Sequence, residues 1–136
     1  MIRVLSMLMI FLMLSGCGHH RYFKGFEEIP VESASVYVIR PSSLASMVLS
    51  IEIKVGDQNI GYLKNGHFLN TFIQPGEHKV IARALGSFGR QQEIMITPKP
   101  NERIYLLAGF GLEGYFGIEQ VDEKTALEEL REFTEE

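Results

Sequence analysis

The chain of 136 residues contains no tryptophan, one cysteine and five prolines. A lone thiol cannot form an internal disulfide, so any core must be held by packing. The length suits one domain and is too short for two. Clustered basic residues are also lacking. Thirteen lysines and arginines against seventeen acids leave a formal charge of −4 with no cationic face for phosphates, which argues against nucleic acid as a partner. The common catalytic signatures are missing as well: no Walker lysine follows a glycine-rich loop, and there is no G-x-S-x-G elbow or H-E-x-x-H helix. A non-enzymatic protein with no cofactor, no catalytic residue and no metal site is therefore expected.

A long apolar run occurs only at the start. Met1 to Arg3 is followed by Val4 to Leu14, apolar except for Ser6, which has the build of an export signal and is too short to span a bilayer stably. The next residues, Leu14, Ser15, Gly16 and Cys17, closely resemble the lipobox of bacterial lipoproteins. The resemblance implies cleavage before Cys17 and lipid attachment to its sulfur, the strongest side-chain nucleophile available for taking up a diacylglycerol group. Each buried methylene would contribute about 0.8 kcal/mol, and two or more chains make anchoring stable. Gly18 is not the aspartate associated with inner-membrane retention, so the implied address is the periplasmic face of the outer membrane.

Three segments follow: a signal peptide at 1–16, a lipidated N-terminus and tether at 17–33, and a domain at 34–136. Gly18 to Ser33 has no sustained period and reads as a spacer. His19 and His20 lack a carboxylate or thiolate at ligand spacing and read as solvated. Tyr22, Phe23 and Phe26 either rest at the lipid headgroups or pack back on the domain.

From Ala34 the chain turns to short β-branched and aromatic runs. SVYVIR, apolar on both faces, suits a central strand; LSIEIKV alternates Leu49, Ile51, Ile53 and Val55 with Ser50, Glu52 and Lys54. Asn65-Gly66 predicts a tight I′ hairpin, and Gln74-Pro75-Gly76-Glu77 a type II turn. HKVIARAL, QEIMIT, RIYLLAG and YFGIEQV bring the count to about eight strands, which predicts a mainly β fold: a compact antiparallel β-sandwich or partly open barrel. It closes with a helix capped by Asp122, with Ala126, Leu127, Leu130 and Phe133 on one side. Glu128, Glu129, Glu132 and Glu135 then form a solvated acidic face.

VYVIRPSSL, IGYLKNGHF, PGEHKVIA and VDEKTALEEL together resemble a family of small bacterial lipoproteins that carries a domain of unknown function. A second likeness is to the β-sandwich repeats named for a Pro-Glu-Gly-Ala motif, where this chain reads Pro75-Gly76-Glu77-His78. Both imply an envelope-associated β-domain that binds a partner, and neither supplies a catalytic residue.

The remaining candidates are few. GFGLEG at 109–114 spells a dinucleotide motif, but a strand-like segment follows where a helix is required, so its glycines read as serving a turn or close strand packing. His67 and His78 flank turns without a marked nucleophile, and Asp57 and Glu77 lie on turns where spacing alone establishes no pair. Arg40 could hold a carboxylate or sugar, although tying its guanidinium to loop carbonyls is the favoured reading. The leading expectation is a lipid-anchored module for another envelope protein or a cell-wall glycan. The alternative is a tethered periplasmic carrier of a small ligand or lipid, its pocket lined by Phe68, Phe72, Phe110 and Phe116.

Overall fold

A computed structural model describes residues 22–42, 49–86, 90–110 and 116–133. Cys17, His19, His20 and most of the GFGLEG stretch lie outside the described residues. Eight strands form two packed four-stranded sheets: β1 (Ala34–Arg40), β2 (Ile51–Val55), β3 (Gln58–Leu63), β4 (His67–Ile73), β5 (His78–Ala84), β6 (Gln91–Ile96), β7 (Arg103–Phe110) and β8 (Phe116–Val121). The first sheet has the order β4-β1-β7-β8 and the second β3-β2-β5-β6. The expected sandwich is therefore present, and its sheets do not close into a barrel.

One pairing departs from the expected antiparallel pattern, because β1 and β7 run parallel with Val36 opposite Ile104 and Val38 opposite Leu106. β6 ends where β1 begins. The connection 97–102 therefore launches β7 alongside β1 in the same direction, and all of β2 to β6 serves as the long crossover that a parallel pair requires.

The Asn65-Gly66 turn is also corrected. It is no β-hairpin, since β3 belongs to one sheet and β4 to the other. The His67 N–H reaches the Lys64 carbonyl at 3.2 Å, but only Gly66, at φ 66°, takes a positive φ. An I′ turn needs positive φ at both central residues to match the twist of two paired strands. With Asn65 on the ordinary side, the chain instead steps from sheet to sheet. The tight hairpin lies earlier, at Gly56-Asp57 between Val55 and Gln58, with Gly56 at φ 61°. Gly61 marks a bulge in β3 at φ 140°, where an added Cβ would stand 3.3 Å from Leu69. The Pro75-Gly76 turn likewise crosses between sheets, Gly76 taking φ 112° and donating its N–H to the Pro98 carbonyl at 3.0 Å.

Strand alternation builds two cores. Val36 and Val38 point between the sheets, where they meet Ile51, Ile53, Leu69, Val80 and Leu106. Tyr37 and Ile39 point the other way and join Phe68, Tyr105, Ala126, Leu130 and Phe133 in a second, largely aromatic core. α1 (Glu123–Leu130) and a closing 3-10 turn (Arg131–Phe133) cover part of that outer face. Asp122 caps α1 as predicted, its carboxylate accepting the Thr125 N–H at 2.8 Å, and this bond holds the carboxyl below its usual range.

Candidate functional site

The rest of the outer face is covered by the segment read from sequence as a spacer. Residues 22–29 form an extended strap that runs antiparallel to β1 without joining the sheet. Of the two possibilities for the tether aromatics, packing back on the domain holds for Phe23 and Phe26. The Phe23 N–H donates to the Phe133 carbonyl at 3.0 Å, and its ring lies 5.9 Å from that of Phe68. Phe26 sits 5.2 Å from Tyr37 and 5.5 Å from Tyr105, with the Arg103 guanidinium 5.3 Å above its ring. Ile29 is buried. Edge-on aromatic contacts of this kind add to the area they bury, as does a cation over a ring face.

Polar groups fasten the strap at its middle. The Glu27 N–H donates to the Tyr37 hydroxyl at 3.1 Å, and Arg103 donates to the Glu27 carbonyl at 2.9 Å. Asn70, opposite Tyr37 on β4, accepts the Ser35 hydroxyl at 2.9 Å and extends its amide to the Glu27 carboxylate at 3.3 Å. Burial pushes the phenols of Tyr37 and Tyr105 above the ordinary tyrosine range, because a phenolate there would lose its water.

Between strap and sheet lies a cleft of about 340 Å3 lined by Tyr22, Lys24, Gly25, Glu27, Tyr37, Phe68 and Asn70. An ammonium, a carboxylate, an amide and a phenol surround an aromatic floor. Such a set can hold a polar group by hydrogen bonds.

The residues singled out from sequence are dispersed. Arg40 is 1% exposed and lies inside the sandwich, where its guanidinium donates to the carbonyls of Leu49 and, at 2.9 Å, Leu63. It ties one sheet to the other, as the carbonyl-tying reading expects, and burial lowers its pKa. His78 contacts the Gln74 carbonyl at 2.6 Å across the Pro75-Gly76 turn. Asp57 sits on the β2–β3 turn and Glu77 on the turn before β5. The four phenylalanines of the carrier pocket do not converge: Phe68 belongs to the outer core, Phe72 is 38% exposed, and Phe110 and Phe116 pack on each other at 5.2 Å at one end of the sandwich. β8 begins at Phe116, so a strand follows the GFGLEG stretch and the helix of a dinucleotide site is replaced by β-structure. Glu128 and Glu132 are exposed as predicted, while Glu129 is partly buried and its carboxyl is pushed up by that burial and by the charges of Glu132 and Glu128.

Sequence reading missed the cleft because its walls are separated by up to 48 residues in the chain, from Tyr22 to Asn70. The available signal was SVYVIR: a strand apolar on both faces needs a cover on each, and α1 alone is too short to cover the whole outer face. A scan against protein-family models and a search of curated proteins each found no match for this chain.

Proposed function

We propose that the chain is a lipid-anchored lipoprotein of the bacterial cell envelope, held through Cys17 at the periplasmic face of the outer membrane, whose β-domain is a non-enzymatic binding module for another envelope protein or a cell-wall glycan. The observation that carries this reading is the order of features in the first seventeen residues: a basic start, an apolar stretch, then Leu14-Ser15-Gly16-Cys17 with the chain's sole thiol at the end. No helix among the described residues is long and apolar enough to cross a membrane. The cleft beside the strap offers the mixed polar and aromatic lining that sugar hydroxyls or peptide amides would engage.

Lipidation is tested by feeding cells a labelled fatty acid and comparing the native chain with Cys17→Ser. Label in the native chain and none in the variant is expected; equal labelling refutes the anchor. Binding is tested by cosedimenting the acylated chain with isolated peptidoglycan, and by crosslinking through Lys24 in intact envelopes. Retention that falls in Asn70→Ala supports the cleft as the binding site, whereas no glycan and no crosslinked protein would remove the binding role. Ligand co-purifying in native mass spectrometry would favour the carrier instead.

A further inference from the structure

The strap cleft contains hydrogen-bonding capacity that the fold leaves unused. Tyr37 is 1% exposed and lines the cleft; its hydroxyl accepts the Glu27 N–H at 3.1 Å, yet among the described residues nothing accepts the proton of that hydroxyl. Asn70, 9% exposed, uses its carbonyl on the Ser35 hydroxyl and one amide hydrogen on the Glu27 carboxylate, and its second amide hydrogen has no side-chain acceptor there either. Buried donors are ordinarily paired. The Glu27 carboxylate accepts from Asn70 through one oxygen and keeps the other open, while the exposed Lys24 ammonium has no ion-pair partner among the described residues. Two unmet donors thus lie on buried side chains, beside an open acceptor on an exposed one.

The chemistry of these groups narrows the ligand. Tyr37 and Asn70 are neutral, so a ligand ion seated on them would lose its water without gaining an ion partner, which favours a neutral acceptor. A carbonyl meets both donors. The neighbouring Glu27 oxygen calls for an N–H, and a carbonyl joined to an N–H is a secondary amide. Phe68 supplies an apolar floor for a methyl group, and the exposed Tyr22 ring offers a flat face for the C–H side of a pyranose. A peptide also brings amides, but it brings one at every residue and needs a row of partners, whereas this cleft of about 340 Å3 offers a single set. One acetamido sugar matches that set.

Resting on the cell-wall glycan reading proposed above, we infer that the strap cleft recognises the acetamido group of an N-acetylated hexosamine. Its carbonyl accepts from Tyr37 and Asn70, its N–H donates to Glu27, and its methyl packs on Phe68. The repeating sugars of bacterial cell-wall glycan carry this group. Glucose, with a hydroxyl on the same carbon, has neither the carbonyl nor the N–H and leaves the arrangement incomplete.

The full-length chain in detergent micelles is titrated calorimetrically with the β-1,4 tetramer of N-acetylglucosamine and with the matching tetramer of glucose, and saturation-transfer NMR is recorded on each mixture. Affinity roughly ten-fold or more higher for the acetylated tetramer is expected, because the hydrogen bonds of the amide are at stake, with the acetamido methyl the most strongly saturated group. Glu27→Ala removes an exposed carboxylate without touching the backbone bonds that fasten the strap, and Tyr37→Phe removes one buried donor. Each should erase most of the preference, and urea unfolding of Glu27→Ala should stay close to native. Equal affinity for the two tetramers, or a preference kept in Glu27→Ala, overturns the inference; so does binding of an N-acetylated tripeptide in place of the sugar. Cosedimentation keeps the two readings distinct: retention on peptidoglycan with no preference for the acetylated tetramer refutes the acetamido assignment alone, whereas no peptidoglycan, no tetramer and no crosslinked protein remove the binding role itself.

Discussion

Arg40 connects the two sheets with one side chain. Its stem runs between them, and its guanidinium meets the Leu49 and Leu63 carbonyls that bracket β2 and β3. Arg40→Met keeps much of the stem but removes the donors, leaving buried carbonyls without that partner, and is expected to lower stability by about 2–4 kcal/mol in urea unfolding. Tyr37 makes a second prediction. Its phenol is raised by burial, so the folded state favours the protonated form; the stabilisation is intact below the ordinary tyrosine value of about 10 and is lost as pH rises through the higher folded value. Thermal melts across that alkaline range should show a steeper fall in the native chain than in Tyr37→Phe, with Tyr105 supplying the slope that remains. Neither role was legible in full. Arg40 at the end of an apolar strand pointed to a tied guanidinium, but its burial depends on which sheet β3 joins. Tyr37 was visible as an apolar position, and its hydroxyl partner lies in a segment without periodicity.

Among the elements, the strap is what the sequence concealed best. A segment that pairs with no strand and forms no helix leaves no period to detect, although Phe23 and Phe26 are spaced to sit on one side of an extended run only after Gly25, at φ 120°, redirects the chain. Phe26→Ala should cost about 2–3 kcal/mol in urea unfolding, below the full value for a core phenylalanine because the ring is partly exposed. The turn residues show the opposite limit. Asn65-Gly66 announced a turn correctly, and one appears. What a turn joins, however, is settled by the positive φ at a single residue and by the demand that Leu63 and Leu69 enter the same core from different sheets. Local chemistry therefore specified a reversal and left its partners open. The helix was easier to read, since its cap and its buried Ala126, Leu130 and Phe133 lie within a dozen residues.

For the whole molecule, β1 is the shared wall of two cores, and the outer one is complete only with the strap in place. A chain beginning at Ser33 would expose Tyr37, Phe68 and Tyr105 together, a contiguous aromatic surface of the kind that drives association. It is expected to unfold at lower urea concentration and to self-associate in sedimentation, whereas a chain beginning at Gly18 remains monomeric under the same conditions. The tether is then both leash and part of the fold, which couples the stability of the domain to its position on the membrane in the proposed setting. The sequence by itself determined the eight strands, the capped helix and the two-sided apolar character of β1, because these rest on side-chain alternation and short-range turn and cap chemistry. Only the tertiary structure decided the sheet membership of β3 and β4, the parallel β1–β7 pairing, the burial of Arg40 and the docking of the strap. Those depend on contacts between residues far apart in the chain, where burial of apolar area and satisfaction of buried polar groups across the whole fold select one arrangement from several that local preference allows.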